Sequence, residues 1–404
     1  MTMKNHLLAN RITSITESAT IAMSQKSRAM KSEGIEVINL SLGEPDFNTP
    51  EAVKEAAKEA IDLNITKYPP IAGFEDLRSA ICDKFKNENN LNFQPDQIIV
   101  STGAKQCIAN VIFSLIEAED EVILPAPYWV SYKGQVELAG GKVIELQSDR
   151  TQNFKSSAAQ LEAAITTKTK LIIFSSPCNP SGSIYTEEEL RAWAKVISKH
   201  PQVMILSDEI YEYINFMGQH FSIGSIPEIS DQVVTVNGVA KGFAMTGWRI
   251  GYLGGPKWLA SACAKMQGQF TSGANSIAQR AALAAINGGK KLSSPMVKAF
   301  EERKKLILEL SKLIVNFEVN DPKGAFYIFP DVSYFIGKKF EDTTITSSDH
   351  LCEIILENAH VACVGGTSFG APNNIRISYA TSEQNIRTAM LRIKKVLDKV
   401  QCSA

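Results

Sequence analysis

Short apolar runs alternate with amphipathic stretches over the first two thirds of the chain. This alternation is typical of an α/β protein with a largely parallel sheet. Five apolar runs predict strands: Gln97–Val100, Glu121–Leu124, Lys170–Phe174, Val203–Leu206 and Val233–Val236. Helical spacing predicts helices over Lys105–Ile116 and Glu187–Ser198, and Thr186 with Glu189 forms the pattern of a capping box at the start of the second.

The last third of the chain has a different pattern. Two helices and two strands are predicted there: Val297–Phe317, Ala325–Phe329, Ile375–Tyr379 and Glu383–Val400. We therefore expect a large domain over residues 51–295 and a smaller α+β domain over residues 296–404. The N-terminal segment, residues 1–50, is expected to fold against the smaller domain.

Composition narrows the class of ligand. The 404 residues suffice for two or three domains, and 42 basic against 43 acidic residues give a net charge of -1. This balance argues against a nucleic-acid or acidic-membrane partner and favours a small molecule.

The seven cysteines are scattered without a CxxC pair, so we expect neither a disulfide framework nor a metal site. No signal peptide and no apolar run of roughly 20 residues is present, so a cytoplasmic protein is expected.

Polar and aromatic residues follow the predicted strands, at the edge where a parallel sheet binds ligands. They are Gly103, Trp129, Asn179, Asp208, Tyr211 and Lys241. Each alone has a structural explanation: Asp208 could cap a helix, Lys241 could be a solvated surface residue, and Trp129 could belong to the core. Their joint position at successive strand ends favours a shared ligand.

This set suits pyridoxal 5'-phosphate (PLP), which needs a lysine amine for a Schiff base. Asp208 would keep the pyridine nitrogen protonated, Asn179 and Tyr211 would donate to the ring oxygen, and Trp129 would lie against the ring. The phosphate needs backbone amides at a helix N-terminus and a cation nearby. The turn residues Gly103, Ala104 and Lys105 would supply the amides, and Arg249 the cation.

The stretch NGVAKGFAMTGWRIGYLGGP (Asn237–Pro256) resembles the lysine signature of class I aminotransferases, especially the prokaryotic aspartate aminotransferase branch. Further matches, in the family's order, are SLGEPDF, KYPP, PYWVSY, SPCNPSG, SDEIYE and NNIRISYATS. The resemblance implies the PLP-dependent aspartate-aminotransferase fold (fold type I), with a mixed, mostly parallel sheet in the large domain. It also implies a homodimer with active sites at the subunit interface.

By this resemblance, Lys241 carries PLP and acts as the general acid/base, with Asp208 as the other catalytic residue. Tyr68 of the neighbouring subunit would help Arg249 to bind the phosphate. Arg376 would bind the substrate α-carboxylate in a bidentate contact, and Gly43 would let that carboxylate approach the backbone. Trp129 and Asn179 are expected to contact the substrate as well.

The branch implies that Thr20, in SATIAM, and Lys105 bind the distal carboxylate of the substrate. Lys105 could instead serve the cofactor phosphate. A prephenate-using subset has a basic residue where Thr16 stands here, which argues against prephenate. The expected reaction is therefore L-aspartate:2-oxoglutarate transamination, by a ping-pong route through the Lys241 Schiff base.

Two positions depart from the pattern of relatives. Ala240 replaces a serine before the lysine, which could remove one phosphate hydrogen bond. Gly365 replaces a proline, and the added backbone freedom could alter a loop near the substrate.

Several other functions remain open. An aromatic or alanine aminotransferase would share the catalytic residues and differ in the side-chain pocket. A nucleotide-binding protein is disfavoured, because Gln106 follows Lys105 where a P-loop needs serine or threonine. A PLP-dependent transcription regulator would need a DNA-binding domain, and a binding module would not need both Lys241 and Asp208.

Overall fold

The computed structural model of the protein describes residues 7–13, 15, 17 and 19–401. Within this part the helices are α1 Asn10–Thr13, α2 Ala19–Ser32, α3 Glu51–Asp62, α4 Glu75–Asn89, α5 Ala104–Leu115, α6 Ser131–Leu138, α7 Ala158–Ala164, α8 Glu187–Ile197, α9 Lys257–Phe270, α10 Ser276–Ser311, α11 Ser348–Ala359 and α12 Glu383–Leu397. The strands are β1 Ile38–Asn39, β2 Ile98–Ser101, β3 Glu121–Pro125, β4 Lys142–Leu146, β5 Thr169–Ser175, β6 Met204–Asp208, β7 Val233–Gly238, β8 Gly251–Gly254, β9 Tyr327–Ile328, β10 Lys339–Phe340, β11 Thr343–Thr344, β12 Val361–Ala362, β13 Val364–Gly365, β14 Ile375–Ser378 and β15 Val400–Gln401.

Seven strands form the central sheet in the order β2-β8-β7-β6-β5-β3-β4. The pairs among β4, β3, β5, β6 and β7 are parallel, whereas β8 is antiparallel to both of its neighbours. The prediction of a mixed, mostly parallel sheet is thus confirmed. The apolar pattern missed β4 and β8, and β8 is short with a glycine at each end, so its strand propensity is weak.

The five predicted sheet strands are almost entirely buried, since helices cover both faces of the sheet. A strand buried on both faces reads as a continuous apolar run, which is why these five were visible in the sequence. The structure extends all five by one or two residues at the carboxyl end. Asp208 is consequently the last residue of β6 rather than a residue of the following loop.

The C-terminal third and the N-terminal segment share one hydrophobic cluster. Val37 and Leu40 pack in it with Phe300, Ile377 and other buried residues, and β1 pairs in parallel with β12. The smaller unit is thus α+β, as expected. The exact division at residues 50/51 and 295/296 stays a prediction.

Helix α10 begins 21 residues before the predicted start at Val297, at Ser276, and ends at Ser311. Gly289, with φ 51°, interrupts the regular helical backbone, and the apolar spacing before it was not recognised as the same element. The predicted capping box is confirmed, because Thr186 and Glu189 exchange both hydrogen bonds. No helix in the described ranges is both long and apolar enough to cross a membrane.

Candidate active site

A cavity of about 300 Å³ lies beyond the carboxyl ends of β5, β6 and β7. It brings together most of the predicted site residues: Thr20, Gly43, Ala104, Lys105, Trp129, Asn179, Asp208, Tyr211, Lys241, Arg249 and Arg376. Gly103 lies beside it, in contact range of Arg249. Tyr68 is not among the lining residues, and its side chain is 96% exposed.

Lys241 lies three residues after β7, and its partly buried side chain lines the cavity. The Nζ atom donates a hydrogen bond to the carbonyl oxygen of Gly43. Burial disfavours the ammonium and lowers the pKa of Lys241 to about 8, with Arg376 and Arg249 acting in the same direction. Roughly a tenth to a fifth of the amine is therefore neutral near physiological pH, far more than for an ordinary lysine, and this fraction can act as a nucleophile or base.

Asp208 lies at the end of β6 with its side chain buried. Oδ2 accepts a hydrogen bond of 2.6 Å from the hydroxyl of Tyr132, and Oδ1 accepts one of 3.2 Å from the backbone amide of Ile210. Burial nevertheless raises the pKa of Asp208 to about 6, because it outweighs these bonds and the charge of Lys241. A cationic group placed beside this carboxylate would stabilise its charged form.

The side chains assigned to the cofactor ring form a connected group. The hydroxyl of Tyr211 lies 2.7 Å from that of Tyr327, and Oδ1 of Asn179 accepts a hydrogen bond of 2.9 Å from Nη1 of Arg376. Trp129 makes an edge-on contact with Tyr132, at 5.4 Å between ring centroids. Each side chain is thus oriented by a neighbour before any ligand binds.

An anion cradle lies at the N-terminus of α5. Gly103 precedes the helix with φ 83°, and a Cβ atom there would lie 2.4 Å from Nη2 of Arg249. The structure describes no carboxylate within ion-pair distance of Arg249 or of Lys105. Burial, then the charge of Arg249, lowers the pKa of Lys105, whose Nζ lies 4.9 Å from the ring centroid of Trp129. Two unpaired cations at a helix N-terminus suit a phosphate.

Arg376 is buried in β14 and is not a surface ion pair. Nη2 donates 2.5 Å to the carbonyl of Ser41 and approaches the hydroxyl of Thr20 at 3.5 Å. Nε has no hydrogen-bond partner among the described residues. The guanidinium lies over the ring of Tyr327, at 4.7 Å from the centroid. A buried cation with a free donor is suited to bind a carboxylate.

These observations fit PLP at the level of its separate functional groups. The amine of lowered pKa suits the aldehyde, and the buried carboxylate suits a protonated ring nitrogen. The unpaired cations at α5 suit a phosphate, and the hydroxyl and amide of Tyr211 and Asn179 suit a ring oxygen.

The sequence analysis gave no role to Tyr132 or Tyr327, although both line the cavity. Tyr132 stands three residues after Trp129, at the spacing that puts two side chains on one face of a turn, and this signal could have found it. Tyr327 lies in a predicted strand, where the pattern identifies burial but not a partner. Thr16 lies outside the described residues.

Gly365 is explained by close packing rather than by backbone freedom. Its φ is not positive, and a Cβ atom there would lie 2.2 Å from Oδ1 of Asp349. Ala240 is buried at the cavity wall, so the position of the absent serine hydroxyl does face the site.

A second buried polar cluster begins at the residue after Asp208. Ligating atoms of Glu209, Glu212 and His220 lie within 4.8 Å of one another, close enough to share a metal ion. The ammonium of Lys84, however, contacts Glu212 directly. Although burial opposes it, the charge of Glu209, 2.9 Å away, raises the pKa of His220. The ammonium of Lys84 and the imidazole of His220 therefore face the two carboxylates, and the cluster is a buried polar network beneath the strand end.

Comparison with known proteins agrees with this geometry. The sequence model of the family "Aminotransferase class I and II" matches residues 35–393. The chain belongs to this family. Enzymes of the class I and II aminotransferase family are transaminases, and the aspartate aminotransferases among them depend on PLP.

Several class I and II aminotransferases resemble this chain over nearly its whole length. An aspartate aminotransferase of Pinus pinaster is 43% identical over 396 residues, which are 96% of this chain and 80% of that protein. A probable aspartate/prephenate aminotransferase of Rhizobium leguminosarum bv. phaseoli is 44% identical over 392 residues, covering 96% and 98%. The crystal structure of the aspartate aminotransferase from Rhizobium meliloti superposes with a TM-score of 0.94, at 40% identity, covering 98% and 99% of the two chains.

Proposed function

We propose that this protein is a PLP-dependent L-aspartate:2-oxoglutarate aminotransferase. The observation that carries the proposal is the presence of Lys241, Asp208 and Arg376 in one cavity. They provide an amine of lowered pKa, a buried carboxylate and a buried guanidinium with a free donor. The printed names of the relatives support aspartate as the donor.

The cofactor would be bound by groups around the cavity. Lys241 would bond to it covalently, Asp208 would pair with the ring nitrogen, and Asn179 and Tyr211 would donate to the ring oxygen. Trp129 would lie against the ring face. The phosphate would lie at the N-terminus of α5, against the amides of residues 103–105 and the guanidinium of Arg249.

PLP, when bound, supplies an electron sink for the electron pair released at the substrate Cα. The carboxylate of Asp208 stabilises a positive charge on the ring nitrogen. Arg376 binds the α-carboxylate and orients the Cα–H bond. The neutral Nζ of Lys241 then accepts the Cα proton, because an amine with a pKa near the working pH is an efficient base.

The distal carboxylate of aspartate would be bound by Lys105 and Thr20. Both line the cavity, and Lys105 has no carboxylate partner in the described structure. A carboxylate entering a partly dry pocket needs a cation, and Lys105 is suited to this role. Thr20 lies next to Arg376, at 3.5 Å from Nη2, so it could contact either carboxylate.

We also propose a cytoplasmic homodimer that completes each site with Tyr68 of the partner subunit. In support, Tyr68 is exposed beside other exposed apolar side chains, Ile71 (42%) and Phe270 (70%). Ile71 packs against Gly268, which lies two residues before Phe270 in α9. Large exposed apolar side chains on neighbouring segments favour a protein partner, and a second copy is the simplest one.

Two measurements test the proposed function. Borohydride reduction of the PLP-loaded protein, followed by peptide mapping, should find PLP on the peptide that contains Lys241, and Lys241→Ala should carry none. Amino donors are then screened against 2-oxoglutarate, with phenylalanine and alanine as rivals of aspartate and with prephenate as a rival acceptor. A protein that acquires no PLP adduct would refute the proposal. A preference for phenylalanine or alanine would refute only the donor.

A further inference from the structure

Tyr327 lies where three groups of the site meet. It belongs to β9 and is fully buried. Its hydroxyl is 2.7 Å from that of Tyr211, and its ring face lies under the guanidinium of Arg376. A Cβ atom on Gly43 would lie 2.3 Å from the same hydroxyl, so a glycine is required there by this contact.

We propose that Tyr327 is a positioning residue that links the arginine for the substrate carboxylate to the tyrosine for the cofactor ring oxygen. Its ring fixes the plane of Arg376, and its hydroxyl donates to the hydroxyl of Tyr211. The inference rests on the proposed function, because both contacted residues have their roles there.

The direction of the hydrogen bond follows from the surroundings. Tyr211 is the structure's only hydrogen-bond partner for the Tyr327 hydroxyl among the described residues. Burial raises the pKa of both phenols and the charge of Arg376 opposes both rises, but Arg376 lies over the ring of Tyr327. The bond between the hydroxyls also lowers the pKa of Tyr327 while it raises that of Tyr211, so Tyr327 is the better donor. Tyr211, which lines the cavity, then keeps its own proton for a group inside it.

A hydroxyl that accepts one hydrogen bond becomes a stronger donor in another. Tyr211 would therefore stabilise a negative ring oxygen better when Tyr327 donates to it. Loss of the Tyr327 hydroxyl should raise the pH at which the absorption of the bound cofactor changes. A single neutral hydrogen bond corresponds to about 0.5 to 1 pH unit, and a supporting bond contributes roughly 10 to 30% of this effect, so we expect a shift of about 0.1 to 0.3 pH unit.

The same link connects the substrate to the cofactor. A carboxylate bound to Arg376 neutralises part of its charge, so Tyr327 becomes a weaker donor to Tyr211. Binding of succinate, a dicarboxylate without an amino group, should therefore raise the pH of the absorption change. In Tyr327→Phe this response to succinate should be smaller, because the hydroxyl that transmits it is gone.

The test titrates the absorption of the PLP-loaded protein in the wild type, in Tyr327→Phe and in a control, Tyr379→Phe. Tyr379 is buried in the same hydrophobic cluster, and its hydroxyl donates to the carbonyl of Ala325 outside the cavity. We expect the shift in Tyr327→Phe and none in the control. Equal titrations of all three proteins would overturn the role of the hydroxyl.

The role of the ring is measured without cofactor. Calorimetry with succinate on the PLP-free protein should show binding weakened about threefold or more in Tyr327→Leu, and little change in Tyr327→Phe. Unchanged binding in Tyr327→Leu would overturn this role.

A second variant covers the case that Tyr327→Phe fails to fold. Gly43→Ala displaces the same hydroxyl and should shift the titration in the same direction. No shift in Gly43→Ala would refute the link. If the wild type binds succinate but takes up no PLP, the proposed function fails separately.

Discussion

The hydroxyl of Tyr132 donates a 2.6 Å hydrogen bond to Oδ2 of Asp208, and both side chains are buried. This bond fixes the orientation of the carboxylate at the end of β6. It does not compensate the loss of hydration, because the pKa of Asp208 still rises to about 6. Asp208 is therefore an oriented carboxylate whose charge lacks a full counterpart in the protein alone.

Replacing Asp208 with alanine should leave PLP able to bind but strongly reduce transamination. The ring nitrogen would lose the carboxylate that stabilises its proton, and with it the stabilised electron sink. We expect kcat to fall on the order of 10³-fold or more, as for loss of a strong electrostatic stabiliser. Steady-state kinetics with aspartate checks this. A loss below tenfold in a folded variant would show that the carboxylate is misassigned.

Asp208→Asn should stabilise the PLP-free protein at neutral pH. The pKa is higher in the folded chain (about 6) than its ordinary value of 3.8, so the wild type loses stability as the pH rises through this window. The loss amounts to about 3 kcal/mol near pH 7 and roughly half of that at pH 5. Asparagine does not titrate and still accepts from Tyr132. Urea unfolding at both pH values measures the gain, and an equal gain at both would contradict this explanation.

The fold was predictable because its strands are buried on both faces. Such strands appear in the sequence as apolar runs, and Asp208 and Lys241 follow two of them at the ligand-binding edge. Strands that mix polar and apolar residues, such as β4, were not predicted, because the sequence of a partly exposed strand resembles that of a loop. Of α10, the sequence predicted only the part that follows Gly289. The backbone of Gly289 is not helical, and this interruption breaks the helical spacing of apolar residues.

The site was predictable as a set of functional groups but not as a network. The sequence indicated Arg376 and Tyr211 separately, and nothing in their spacing places Tyr327 between them. Such contacts depend on how β9 packs against the loop after β6, which is tertiary information. The reason for Gly365 was likewise hidden, because it lies in the approach of Asp349 from α11.

Capture of PLP by the PLP-free protein should accelerate with pH. Only the neutral amine of Lys241 attacks the aldehyde, and burial lowers its pKa to about 8. The rate should therefore rise up to about pH 8 and then level off, instead of rising to the ordinary 10.5 of a lysine. Stopped-flow absorption measures it, with free lysine as the reference for the aldehyde's own pH dependence. A rate that still increases tenfold per unit above pH 9 would contradict the burial of the amine.

Activity should depend on assembly if Tyr68 of the partner subunit binds the phosphate. Tyr68→Phe should weaken PLP binding roughly tenfold to 100-fold, as expected for loss of one hydrogen bond to a charged group, and should leave the fold unchanged. Sedimentation at decreasing concentration should show activity lost as the dimer dissociates. Tyr334→Phe, which changes another exposed tyrosine (44%) outside the cavity, is the control. A fully active monomer would remove Tyr68 from the site.

The choice of substrate is tested by changing Lys105 and Thr20 together. In Lys105→Met with Thr20→Val, the distal carboxylate of aspartate would enter the cavity without a partner, which costs several kcal/mol. The KM for aspartate should rise by roughly 100-fold or more. Phenylalanine has no distal carboxylate, so its kinetics should change much less.

The comparison also separates the two roles open to Lys105. If the ammonium of Lys105 binds mainly the phosphate at the N-terminus of α5, activity with aspartate and activity with phenylalanine will fall equally, and PLP will dissociate more readily. The single variant Thr20→Val distinguishes further, because Thr20 lies beside Arg376 and not at the anion cradle. A selective loss for aspartate in the double variant, with unchanged PLP affinity, supports the distal-carboxylate role. Equal losses for aspartate and phenylalanine would refute it and leave the transaminase chemistry of Lys241 and Asp208 intact.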